Sequence, residues 1–139
     1  MELIEHLFDT DHFLDEVYRV LKPNGIFVLS TPNLASIHNR IALLLGYQPY
    51  CMSVSIRHLV GYLKFSHKID VSAHIRFFTL KSLTQLLLQH NFKIVEKQGA
   101  GVISSLDKRY PKYLYLIDKV FSKFPSLAYT LIVKTEKVL

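Results

Sequence analysis

Apolar positions along this chain fall into blocks whose spacing changes several times. Over residues 11–21, Phe13, Leu14, Val17 and Leu21 form one stripe at helical spacing, with Asp15, Glu16 and Arg19 elsewhere, which predicts an amphipathic helix. Asp9, Thr10 and Asp11 offer N-caps for it, and Lys22-Pro23-Asn24-Gly25 stops it and turns the chain. Ile26-Phe27-Val28-Leu29 then runs apolar without alternation, the pattern of a strand buried on both faces in a parallel sheet. A second helix is expected over 34–45, ending in Ile41-Ala42-Leu43-Leu44-Leu45 before Gly46. Residues 47–76 keep no sustained period and read as an insertion. Thr79 caps a clear helix over 80–90 that buries Leu80, Leu83, Leu86 and Leu87, and Phe92-Lys93-Ile94-Val95-Glu96 reads as a strand. A helix over 112–123 and a strand from Ala128 to Lys134 complete the chain. Alternation of helices and strands predicts an α/β domain.

Length and composition narrow the picture. At 139 residues, 50% apolar and 20% charged, the chain fits one folded domain and excludes a disordered one. No apolar run is long enough for a membrane-spanning helix, and the start of the chain has no basic region of a signal peptide. The single cysteine, Cys51, suits a reducing, cytoplasmic setting.

Charge is unevenly placed. Six of the 11 acids lie in residues 1–16, which hold no Lys or Arg. No acid occurs between Glu16 and Asp70, whereas Arg19, Lys22, Arg40, Arg57, Lys64 and Lys68 do. Such asymmetry suits an anionic partner or substrate, or simply a solvated basic face.

Three stretches resemble class I S-adenosylmethionine-dependent methyltransferases of the type 11, 12 and 23 kind. They are Glu2-Leu3-Ile4-Glu5-His6-Leu7, the run Arg19-Val20-Leu21-Lys22-Pro23-Asn24-Gly25 into Ile26–Asn33, and His74-Ile75-Arg76-Phe77-Phe78-Thr79. The Phe124-Pro125-Ser126-Leu127-Ala128 entry to the last strand resembles them too. The resemblance implies a Rossmann-like sheet whose last strand is antiparallel, S-adenosylmethionine as cofactor, and 47–76 as a cap over the acceptor side of one partial domain, 1–139. It also implies truncation, because this chain starts where the family's fourth strand ends. The first strands and the Gly-rich cofactor loop are then absent, Met1 reads as an internal methionine of a longer frame, and Gly99-Ala100-Gly101 is a turn rather than a substitute for that loop. A C-terminal half of this kind is expected to be inactive alone. Its open sheet edge would take a missing N-terminal half or a second copy, whether to complete an enzyme or to act as a non-catalytic partner. A basic module for nucleic acid or another anionic surface is the remaining alternative.

Candidate site residues follow. Glu2, Glu5 and His6 are spaced i, i+3, i+4, so one helical turn gathers them, and His74 would join from a distance. Two carboxylates and imidazoles suit a divalent metal, and the resemblance extends to methyltransferases in which such a metal holds vicinal oxygens of the acceptor. Alternatively, His6 acts as general base with Glu5 beside it and Glu2 on the cofactor side, or the acids merely decorate the surface. The resemblance places Asn33, His74 and Arg76 toward the acceptor, where an Arg would clamp a phosphate or carboxylate. Asn33 is equally a helix cap.

Overall fold

A computed structural model describes residues 3–63, 74–101 and 112–138, and every structural statement below concerns these. A single 3-10 turn, Ile4–His6, precedes helix α1 (Thr10–Val20), strand β1 (Ile26–Pro32) and helix α2 (Ile37–Leu44). Helix α3 (Leu80–Gln89), strand β2 (Phe92–Ala100), helix α4 (Lys112–Ser122) and strand β3 (Thr130–Lys137) follow. The expected order is present, with boundaries shifted by a few residues. Asp9 caps α1 by accepting from the His12 N–H at 2.8 Å. Thr79 and Ser82 form a reciprocal capping box at the start of α3. Asn24 and Asn91 take left-handed φ of 60° and 61°, which asparagine tolerates, and each turns the chain into the strand that follows.

The sheet runs β1–β3–β2, and β3 is antiparallel to both neighbours. The last strand is therefore antiparallel, as the resemblance implies. The two outer strands run parallel to each other, but neither touches the other. A bulge between Ile94 and Glu96 bends β2.

Helices α1 and α3 cover one face of this sheet. Leu14, Leu83, Leu87, Leu131 and Val133 are wholly buried there, with Leu29 and Phe92 beside them. Each such side chain contributes roughly 1.5–3 kcal/mol by leaving water. The Phe27 ring lies 6.3 Å from that of Phe13 and 5.8 Å from that of Phe92, joining helix to sheet. Lys137 Nζ donates to the carbonyls of Tyr18 and Leu21, closing the end of α1 against the end of β3.

The opposite face corrects one sequence expectation. β1 is not buried on both sides: Phe27, Leu29 and Thr31 point inward, but Ile26 and Val28 are 48% and 56% exposed. Among the described residues β1 pairs only with β3, so its other edge is unpaired as well. Helix α2 also departs from its pattern. Its buried residues are Asn39 and Ala42, while Ile41, Leu43 and Leu44 face solvent.

Candidate functional site

The 3-10 turn packs against the carboxyl end of β1, the end at which open α/β sheets gather ligands. Ile4 is buried in the core, and Glu5 beside it is 1% exposed, so this acid is no surface decoration. Thr31, at the end of β1, donates its hydroxyl to Glu5 Oε2 at 3.1 Å. The other carboxylate oxygen, Oε1, is buried without a hydrogen-bond donor. A buried carboxylate oxygen left in this state costs free energy unless a cation or donor meets it.

Two imidazoles stand near that carboxylate. His6 Nε2 stands 3.9 Å from Glu5 Oε1, and the His6 and His74 rings are 4.6 Å apart at 54°. One ligand atom from each of Glu5, His6 and His74 lies within 4.8 Å of the others. His74 Nδ1 is 3.3 Å from the carbonyl of Cys51; donating there leaves the ring's lone pair on Nε2. The main chain fixes the pairing across the fold, since the N–H groups of Ile75 and Arg76 both donate to the Glu5 carbonyl, at 2.9 and 3.0 Å.

The supporting shell comes from residues that sequence reasoning missed. Asn39 accepts from the Tyr50 N–H at 2.8 Å and donates to the Asn33 carbonyl and to Cys51 Sγ. This holds Cys51, whose carbonyl meets His74. A polar residue on the inward side of a short helix was the available signal for Asn39. No sequence signal joins Thr31 to Glu5, 26 positions away. The Cys51 thiol is pushed up by burial and serves here as packing.

The remaining candidates fall in different places. Glu2 lies outside the described residues. Asn33 is 1% exposed, and its side-chain amide donates to the carbonyls of Ala128 and Ser126 while its oxygen accepts from the Ala35 N–H. It braces the β3 entry rather than facing an open surface, and Ser36 caps α2. Arg76 donates to the Phe8 carbonyl and lies over the Phe8 ring at 5.6 Å, beside the cluster rather than in it.

None of the glycines builds a cofactor loop between a strand and a helix among the described residues. A Cβ on Gly99 would meet Ala128 Cβ at 2.3 Å and the Ser122 carbonyl at 2.5 Å, so this glycine is there for close packing. A concavity of about 610 Å³ lies at the other end of the sheet around Tyr18, Asn91 and Lys93, away from the cluster.

A three-stranded antiparallel sheet flanked by helices is an α/β arrangement that matches part of known methyltransferase folds. A methyltransferase-domain family model matches residues 1–97, and the chain belongs to that family. A Mycolicibacterium smegmatis protein named "Probable S-adenosylmethionine-dependent methyltransferase" is 53% identical over 32 residues, which are 23% of this chain and 12% of that protein. Solved S-adenosylmethionine-dependent methyltransferases share the fold at low identity. That of Thermotoga maritima has a TM-score of 0.57 at 16% identity, over 96% of this chain and 52% of that one. That of Mesorhizobium loti has 0.54 at 16%, over 98% and 59%. This chain thus spans little more than half the length of the solved relatives it matches.

Proposed function

We propose that this chain supplies the acceptor side of an S-adenosylmethionine-dependent methyl transfer, with Glu5, His6 and His74 as the groups that meet the acceptor. The observation carrying this reading is the Glu5 carboxylate, buried in a chain of the methyltransferase-domain family with one oxygen unsatisfied and two imidazoles close by.

The donor set fits a divalent transition-metal cation, since one carboxylate oxygen and two imidazole nitrogens suit Zn²⁺ or Mn²⁺. When bound, S-adenosylmethionine supplies an electrophilic methyl on a sulfonium, and a cation would supply charge stabilisation at the acceptor oxygen. The chain's own residues do the rest. Glu5, held by Thr31, fixes negative charge below the acceptor. His74 is oriented by the Cys51 carbonyl, and where no cation is held the partly exposed His6, no longer a ligand, takes the acceptor proton. The loop from Tyr47 to Leu63 stands over this side through Cys51.

The described residues supply no glycine-rich cofactor loop, so the cofactor side belongs to another segment, either a longer frame or a partner. The open edge of β1, with Ile26 and Val28 bare, favours self-association or such a partner there. Calorimetric titration of Mn²⁺ and, separately, of S-adenosylhomocysteine into the purified chain tests the reading. Mn²⁺ binding that Glu5→Ala abolishes, with no heat from S-adenosylhomocysteine, is expected. Micromolar S-adenosylhomocysteine binding by the chain alone would overturn the half-site assignment, and absence of Mn²⁺ binding would leave His6 as a simple base.

A further inference from the structure

The exposed end of α2 and the loop that follows it carry an apolar surface that the methyl-transfer reading does not use. Leu44 is 86% exposed and Ile56 87%, and Ile41, Leu45, Leu59 and Val60 are also bare. These residues belong to one structure. The Gln48 N–H donates to the Gly61 carbonyl at 2.7 Å, which brings the end of α2 beside Leu59 and Val60. Behind that bond the Tyr50 and Tyr62 rings stack at 6.4 Å, the Tyr62 hydroxyl donates to the Met52 carbonyl, and the Tyr50 hydroxyl donates to that of Leu63. The aromatic residues form the stem and the aliphatic ones the outside, an inversion of ordinary solubility.

The apex also satisfies its own backbone. Ser55 Oγ accepts from the N–H groups of both Arg57 and His58, and Ser53 Oγ donates to the Ser55 carbonyl. Internal pairing of this kind lowers the cost of moving a loop out of bulk water. Charge then selects the occupant. Arg40 and Arg57 flank the aliphatic residues, and the 53 residues from Val17 to Ile69 contain no acid. An exposed aliphatic surface with Arg40 and Arg57 on either side of it in the chain, the half-exposed Tyr47 at its base and no acid nearby in the sequence matches the headgroup–acyl boundary of a membrane.

We infer that the end of α2 and the Val54–Val60 apex dock this chain on the surface of an anionic lipid bilayer, without crossing it. This surface is separate from the Glu5 cluster, so the inference stands or falls apart from the methyl-transfer reading.

Co-sedimentation of the full chain with phosphatidylcholine vesicles, with and without phosphatidylglycerol, tests it, alongside size-exclusion chromatography. Binding to the phosphatidylglycerol vesicles that weakens with salt is expected. Ile56→Asp with Leu59→Asp should reduce it by about tenfold or more, while Val28→Asp on the open sheet face leaves it unchanged. Circular dichroism confirms folding, which these exposed positions do not threaten. Wild-type protein that stays in the supernatant with every vesicle would overturn the proposal, as would unchanged binding in the double variant. Equal, salt-insensitive binding to pure phosphatidylcholine would overturn the choice of an anionic surface. If instead the double variant only converts a dimer to a monomer, the surface belongs to a second copy.

Discussion

Glu5 is the residue on which most of the proposed chemistry turns. Its carboxylate has one donor, Thr31, and one buried oxygen without any, an arrangement that stability alone does not favour. Glu5→Gln removes the charge and places an amide donor within reach of the imidazoles. The substituted protein should therefore be as stable as the parent in thermal unfolding, or more so by about 1 kcal/mol, while binding Mn²⁺ at least roughly tenfold more weakly. A large loss of stability in this variant would mean that Glu5 is structural. Neither its burial nor its partners could be read from the sequence. The i, i+3, i+4 series of Glu2, Glu5 and His6 pointed to two residues that the structure brings together with His74, but the hydroxyl that holds the carboxylate is brought there only by the end of β1.

At the scale of elements, periodicity located nearly every helix and strand, most plainly α1 and α3, which each bury one clear stripe on the same core. It failed for the direction in which α2 faces. Ile41 to Leu45 form the most apolar run of that helix, yet Asn39 turns inward because its amide completes hydrogen bonds to Asn33, Tyr50 and Cys51. Local pattern cannot foresee partners supplied by a loop eleven or twelve residues away.

Helices α1 and α3 meet through His90, whose two ring nitrogens lie 2.8 and 2.9 Å from Asp15 and Asp11. Burial alone would lower its pKa, but hydrogen bonds to Asp11 and Asp15 and their charges outweigh it and the net shift is upward. Because the folded pKa is raised, this contact contributes fully below the unfolded value near 6.5 and is lost as pH rises through the folded value. His38 works in the opposite sense, since burial lowers its pKa despite Asp118 nearby, and stability rises as pH climbs from that lowered value to the unfolded value near 6.5, below the His90 window. Comparison with Asp11→Asn/Asp15→Asn separates the two. The parent should exceed that variant in melting temperature by a few degrees at pH 6, about 1 kcal/mol, and the gap should narrow by pH 9. A gap independent of pH would exclude the charged clasp.

For the molecule as a whole, one sheet face is packed and the other is partly bare, and the bare part adjoins the free edge of β1. Val28 lies opposite Lys134 on that face and is more than half exposed. Size-exclusion chromatography over a concentration series should show wild-type protein associating and Val28→Asp remaining smaller, with an unchanged far-ultraviolet spectrum. Identical elution of the two would remove the open face as a contact. The resemblance anticipated this exposure, whereas composition could not, because an apolar strand reads the same whether or not a second layer covers it.

The middle position of β3 has a consequence for the order of events in synthesis. β1 and β2 reach one another only through this strand, and Lys137 and Val138 also hold α1 through Tyr18. Every ladder in the described sheet therefore waits for Thr130–Lys137 to leave the ribosome. Until then two separate helix–strand pieces display unpaired edges, and they depend on chaperones or on speed of translation to avoid joining the wrong neighbour.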